Sequence, residues 1–358
     1  MKADRKYYIK PFGFLPKEQG YSLSKKNEAI KINENFYTCL ELIYSEEKKI
    51  NRSFFKVKNF YKNFEKDKHI IFLLDKILKK KKNILNNKKF FKKEKESLIF
   101  SILNITPDSF SDGGDNLITL ENYKKSAQMI KDGADFIDVG GESTRPGATK
   151  VNPTDEALRI LPTLQLLEHK KINVSLDTRN STTMELGISS GVKIINDVSA
   201  LKNDKRSVEI VSKHKIPVIL MHMPGTPKNM MKKNKYADVT LDVYDYLEER
   251  IKFCESKGIQ KENIIIDPGI GFGKDFYQNI SLLKNLSIFH GLGCPIMLGV
   301  SRKRFISVID KNSDPKKRIG GTLSSTINAL MHGIQIHRVH DVKETNQAIE
   351  VFKKLNEK

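Results

Sequence analysis

Leu98-Ile99-Phe100-Ser101-Ile102-Leu103-Asn104-Ile105-Thr106-Pro107-Asp108-Ser109-Phe110-Ser111-Asp112-Gly113-Gly114 is an apolar run that opens into a loop of small and polar residues. The arrangement returns about thirty residues later, where Phe136-Ile137-Asp138-Val139 leads into Gly140-Gly141-Glu142-Ser143-Thr144-Arg145-Pro146-Gly147. Each reads as a short buried strand ending in a loop whose backbone N–H groups can face an anion.

Working outward, β-branched runs alternate with amphipathic stretches from Leu98 to the C-terminus. Strands are expected at 98–103, 136–139, 173–176, 193–196, 217–221, 264–266, 296–300 and 335–339. Helices are expected near 119–133, 154–169, 181–190, 204–214, 240–258, 278–289, 320–333 and 344–356. Eight strand–helix units over this length predict an α/β fold, a (β/α)8 TIM barrel. A doubly wound open sheet is the alternative, though it more often has fewer strands. The barrel predicts its site at the C-terminal strand ends. Those ends carry Asn104, Glu142 to Arg145, Asp177, Asn196-Asp197, His222, Asp267, Ser301 to Lys303, and Arg338 to Asp341.

Asp177, Asn196 and Asp267 follow hydrophobic runs, and a buried Asp needs partners. With Lys303 opposite, they can bond the edge of a flat nitrogen heterocycle, although each alone also suits a helix cap. Arg338 and His340 are two apart on a strand and share a face, which predicts a phosphate clamp with Arg145 as a third cation. Asn104, near Asp108, offers oxygen to Mg²⁺, which commonly completes its shell with phosphate oxygens and water. Met221 and Phe272 can pack on the faces of an aromatic ligand, although either residue more often belongs to plain core. Gly269-Ile270-Gly271-Phe272-Gly273-Lys274 lacks the ending of a phosphate-binding P-loop; it reads as a tight turn that brings backbone close to a ligand.

The net charge is +20, but residues 1–97 hold 26 Lys and Arg against 12 Asp and Glu, so +14 sits there. The excess is mostly lysine among Asn and Ile, which is how an AT-rich coding sequence reads. RNA binding through this segment finds no aromatic–basic motif. We assign 1–97 to a basic N-terminal appendage and linker of unknown role, with 76–97 a charged helix or linker, and 98–358 to the barrel. No run of 18 apolar residues exists, so no membrane-spanning helix is expected. The first residues lack the apolar stretch of a secretory signal. Cys39, Cys254 and Cys294 lack metal-ligand spacing and read as reduced thiols in a cytoplasmic protein.

Taken together, residues 98–356 resemble the dihydropteroate synthase family. The matching segments are Leu103 to Gly114, Asp138 to Pro146, Ser175 to Thr178, Ile194 to Val198, Leu220 to Met223, Asp267 to Lys274, Gly299 to Lys303, and Arg338 to Thr345. The resemblance implies condensation of 6-hydroxymethyl-7,8-dihydropterin diphosphate with 4-aminobenzoate in folate biosynthesis. It further implies that Asp177, Asn196, Asp267 and Lys303 hold the pterin and that Asn104 binds Mg²⁺. Thr144, Arg145, Arg338 and His340 would hold the pterin substrate or its departing diphosphate, and Phe110 and Pro146 would border the aminobenzoate. A cytoplasmic homodimer built through barrel helices is also implied. Arg304 stands where the resemblance implies a small residue. A corrinoid-methyltransferase-type pterin barrel is the nearest rival, but it has no diphosphate to occupy those cations. A non-catalytic binding protein is opposed by the full set of motif residues.

Overall fold

The computed structural model describes residues 5–46, 49–79, 83–105, 115–143, 151–311 and 314–357. Strands β1 (Tyr7–Leu15), β2 (Ile30–Ile32), β3 (Asn35–Glu46) and β4 (Lys49–Lys56) form an antiparallel sheet in which long β3 pairs with the other three. Helices α1 (Lys17–Ser24), α2 (Val57–Phe64) and α3 (Lys68–Leu78) accompany it. Ile9, Tyr37, Leu40, Phe60, Ile70 and Leu74 give this unit its own core. Tyr8 and Ile43, next to Ile9 and Leu42 of that core, pack with the barrel's outer core instead.

The second sheet is parallel, in the order β10-β9-β8-β7-β6-β5-β12-β11. Its strands are β5 (Leu98–Asn104), β6 (Phe136–Gly140), β7 (Val174–Asp177), β8 (Ile194–Asp197), β9 (Val218–Met221), β10 (Ile264–Asp267), β11 (Met297–Leu298) and β12 (Ile336–Val339). A parallel bridge from Ile266 to Ile296 joins the two ends, so the sheet closes as the expected barrel. Around it run α4 (Asp115–Lys131), α5 (Pro153–His169), α6 (Ser181–Ser189), α7 (Ser207–His214), α8 (Val239–Ser256), α9 (Phe276–Lys284), α10 (Arg304–Asp310), α11 (Ile319–Met331) and α12 (Val342–Leu355). Their starts carry the expected signals: Asn152 caps α5 ahead of Pro153, Asp238 caps α8, and Asp275 with Gln278 forms a capping box on α9. Among the described residues, no helix is long and apolar enough to cross a membrane.

Period-two alternation divides each strand. Leu98, Phe100, Phe136, Ile194, Ile219, Ile265, Met297 and Ile336 fill the barrel interior, while Ile99, Ile137, Ile195 and Leu220 face the helices. Phe100 stacks on Phe136 at 4.7 Å. Beneath this layer, Ile84, Leu85, Phe90 and Phe91 close the barrel. They come from the segment expected to be a charged helix or linker. There the helix ends at Leu78, and the apolar pairs between the lysines plug the barrel floor.

Candidate active site

One position in each of five strands decides the site. Asp138, Asn196, Met221, Asp267 and Arg338 each stand two residues beyond a member of the apolar layer, on the same face and one step nearer the mouth. The register sets Asn104, Gly140, Asp177 and Asn196 side by side across β5 to β8. The missing side chain at Gly140 leaves room there; a Cβ would lie 3.5 Å from Asp177 Cβ and 3.6 Å from Asn104 Oδ1.

Arg338 bridges two carboxylates. Its Nε donates to Asp138 Oδ2 at 2.6 Å and an Nη to Asp177 Oδ2 at 2.7 Å. Asn196 Nδ2 donates to the same Asp138 oxygen at 3.1 Å. Among the described residues, the second oxygens, Asp138 Oδ1 and Asp177 Oδ1, are buried with no hydrogen-bond partner. A buried acceptor left unpaired is costly, so these two oxygens mark where a ligand's N–H groups belong. Burial, opposed by Arg338 and reinforced by Asp138, pushes the Asp177 carboxyl up to about 7.

Asp267 lies on the opposite wall. Its Oδ1 accepts from Gly269 N–H at 2.7 Å, and burial raises its pKa against that bond and nearby Lys303. Lys303 lies 4.2 Å from the centre of the Phe272 ring, a cation–π contact. Met221 and Phe272 belong to an apolar cluster with Val198, Met223 and Met230 at this side of the mouth.

The expected guanidinium–imidazole clamp takes a different form. Arg338 is engaged by carboxylates, and His340 is hydrogen-bonded to Ser301, Nδ1 to Oγ at 3.0 Å. Burial, with Arg302 and Arg338 close by, pulls His340 down to about 3. It is a neutral imidazole at neutral pH, not a cation. Ser301 Oγ already accepts from His340 N–H at 3.1 Å. Its hydroxyl can therefore donate to Nδ1, which leaves the ring proton on Nε2. Phe110, Thr144, Arg145 and Pro146, like neighbouring Asp108, lie outside the described residues.

Two groups escaped the sequence reading. Asp138 was hidden inside an apolar strand, although a fully buried Asp in such a run signals a partner elsewhere. Lys274, 3% exposed, ends the glycine-rich turn. Its Nζ donates to the carbonyls of Gly269 (2.8 Å), Phe272 (2.9 Å) and His222 (3.3 Å), and lies 3.0 Å from His222 Nδ1. Burial pulls its pKa down to about 7 against the attraction of Asp267. This turn thus wraps a lysine and meets the chain's own His222 loop. At Gly269 (φ +69°), a methyl group would collide with the His222 carbonyl.

Asn104 is exposed at its strand end. Among the described residues, no group of three or more His, Cys, Asp or Glu is arranged to hold a metal ion.

Comparison with known proteins agrees with this geometry. Residues 100–340 match the family model described as pterin binding enzyme. The chain is 42% identical over 254 residues to dihydropteroate synthase of Escherichia coli strain K12, covering 71% of this chain and 89% of that protein. It is also similar to the Xanthomonas albilineans dihydropteroate synthase structure with 4-aminobenzoic acid. That match has a TM-score of 0.68 and 37% identity, covering 72% of this chain and 93% of the other. The structure of that enzyme in complex with 7,8-dihydropteroate matches with a TM-score of 0.65 and 34% identity, covering 72% and 93% of the two chains. The chain belongs to the dihydropteroate synthase family.

Proposed function

We propose that the barrel mouth joins 6-hydroxymethyl-7,8-dihydropterin diphosphate to 4-aminobenzoate, giving 7,8-dihydropteroate and diphosphate. The observation that carries this reading is the Asp138–Arg338–Asp177 bridge with its two unpartnered carboxylate oxygens. A pterin edge presents amino and ring N–H donors at hydrogen-bonding spacing, and Asp177 accepts them while Asn196, Asp267 and Lys303 hold the rest of the ring. Met221 and Phe272 flank its faces. With Asp177 ionised, two carboxylates around one guanidinium leave net negative charge deep in the barrel. That charge favours a pterin that becomes cationic as its methylene–oxygen bond breaks, the kind of preorganised stabilisation that accelerates a charge-forming step. In this reading Arg338 positions the two carboxylates. His340, as a neutral Nε2–H donor, and Thr144 and Arg145 receive the departing diphosphate. The neutral aromatic amine, bordered by Phe110 and Pro146, attacks the methylene and then loses a proton.

Magnesium fits as an ion carried in by the diphosphate rather than as a resident. Asn104 supplies one neutral oxygen, and Mg²⁺ commonly draws its remaining ligands from phosphate and water. Bound there, it would neutralise charge on the leaving group. The three cysteines form no disulfide, Cys254 and Cys294 being buried, which supports a reducing, cytoplasmic setting. A homodimer would use barrel helices that the N-terminal sheet leaves open, since that sheet already binds parts of α8, α11 and α12.

Calorimetric titration with the pterin diphosphate and Mg²⁺ tests the assignment. Asp177→Asn is expected to weaken binding about 10- to 100-fold, the range of a hydrogen bond to a charged group. Unchanged affinity would remove Asp177 from the pterin site.

A further inference from the structure

A second cleft lies away from the barrel mouth. It has a volume of about 650 Å³ and lies on the outer wall, between α7 and α8. Its floor is apolar, from Leu201, Val208 and Phe253, and its rim carries Lys202, Lys205, Lys213 and Lys257. Arg250 completes the wall and is itself 5% exposed. Five cations thus face one carboxylate, Glu209. Among the described residues, none of the five has a carboxylate within ion-pairing distance, although Arg206, their neighbour, pairs with Glu185 at 3.2 Å. Unpaired like charges around one cavity repel one another, and an anionic ligand relieves that repulsion.

The cleft is also preformed. Arg250 Nε donates to Ala200 O at 3.0 Å, its guanidinium lies 4.3 Å from the centre of the Phe253 ring, and among the described residues Nη2 has no hydrogen-bond partner. Ala200 and Leu201 both have left-handed backbones, φ +53° and +59°. Two consecutive non-glycine residues in that region are strained. They are held there by Asp197, which accepts from the N–H groups of Leu201 (3.0 Å) and Ser199 (2.7 Å). The same aromatic ring that stacks against Arg250 lies 5.8 Å from Lys257 Nζ. A ring set between cations above an apolar floor suits a ligand that has both a planar part and phosphate groups.

We propose that this cleft binds a phosphorylated, ring-bearing small molecule of the nucleoside diphosphate type. Ser212, in its lining, donates its hydroxyl to the Lys257 carbonyl at 2.8 Å, and no described lining residue is a histidine or cysteine, so the ligand is an effector rather than a substrate. The cleft shares no residue with the barrel mouth, and the proposal stands independently of the reading of that site.

The test is calorimetry on the full-length protein at physiological salt, with ADP and inorganic diphosphate as probes. ADP is expected to saturate one site and to bind at least about fivefold more tightly than diphosphate. Lys213→Glu/Lys257→Glu should weaken ADP at least about tenfold, while Lys62→Glu/Lys66→Glu, on exposed α2 and the turn after it, should change it less than about twofold. Three results would overturn the proposal: no ADP binding, ADP binding untouched by the cleft variant, or equal weakening by both variants, which is the mark of diffuse charge. Diphosphate binding as tightly as ADP would also remove the ring from the argument. All four positions are exposed lysines, so the variants should fold.

Discussion

Asp177 holds one oxygen on Arg338 and leaves the other unpartnered, so its proton affinity depends on what fills the barrel mouth. Its folded-state pKa of about 7 exceeds the ordinary 3.8, chiefly through burial. The native chain therefore keeps a proton that the unfolded chain releases. This group costs stability progressively as pH rises from about 4 to about 7, and the full cost persists above that. The wild-type protein without ligand should thus lose thermal stability between pH 5 and 8 more steeply than Asp177→Asn, in a scan of Tm against pH. Parallel curves would show that the carboxylate does not titrate there. Lys274 contributes through hydrogen bonds, since its Nζ is a donor to three backbone carbonyls. Lys274→Met leaves the Phe272 and His222 carbonyls unpaired, while Gly269 O keeps the Phe272 N–H, and should lower stability by about 2–5 kcal/mol in urea denaturation. A loss below about 1 kcal/mol would mean that water replaces the ammonium. Asp177, Asn196 and Asp267 were legible in the sequence because each ends an apolar run. Asp138 and Lys274 were not, because one sits within a run and the other closes a turn whose centre is visible only once folded.

At the scale of elements, the barrel strands were readable because their alternation is strict and their ends are polar. The observed strands fall within a residue or two of the expected ones, except β11, which shrinks to Met297–Leu298. The window at 278–289 divides into α9 and a 3₁₀ segment, Leu286–Leu292, against which β1 packs through Ser287 and Pro11. The N-terminal elements were not assigned, because their apolar residues must satisfy two cores at once and lysines interrupt each pattern. The barrel plug was missed for the same reason: four apolar residues, Ile84, Leu85, Phe90 and Phe91, lie among eight lysines from Lys79 to Lys93. The turn after β10 carries its own prediction. Gly269→Ala must place a methyl against the His222 carbonyl at positive φ. It should cost about 1–3 kcal/mol of stability and displace Asp267, with a parallel loss of pterin affinity. Normal stability together with normal affinity would contradict this geometry.

For the whole molecule, the two units depend on each other. Tyr8 Oη donates to Asp245 at 2.9 Å, and Tyr37 Oη donates to Met331 O at 3.1 Å. Buried Glu41 is ion-paired with Lys10 and, at 3.0 Å, with Arg52, which also holds Asp238 at the start of α8 at 2.8 Å. With the plug, these contacts make residues 5–97 part of the barrel's support. A fragment of residues 98–358 should expose the apolar floor and outer face and give no soluble, cooperative unfolding transition; a fragment with full turnover would show that the appendage is dispensable.

Turnover at this barrel mouth makes dihydropteroate. The direct measurement is diphosphate release by the purified full-length protein with 6-hydroxymethyl-7,8-dihydropterin diphosphate and Mg²⁺, read alongside dihydropteroate formation with 4-aminobenzoate present or withheld. One dihydropteroate is expected for each diphosphate released when the amine is present, with loss of both signals in Asp177→Asn. Tight pterin binding with no turnover, or turnover indifferent to Asp177, would contradict it.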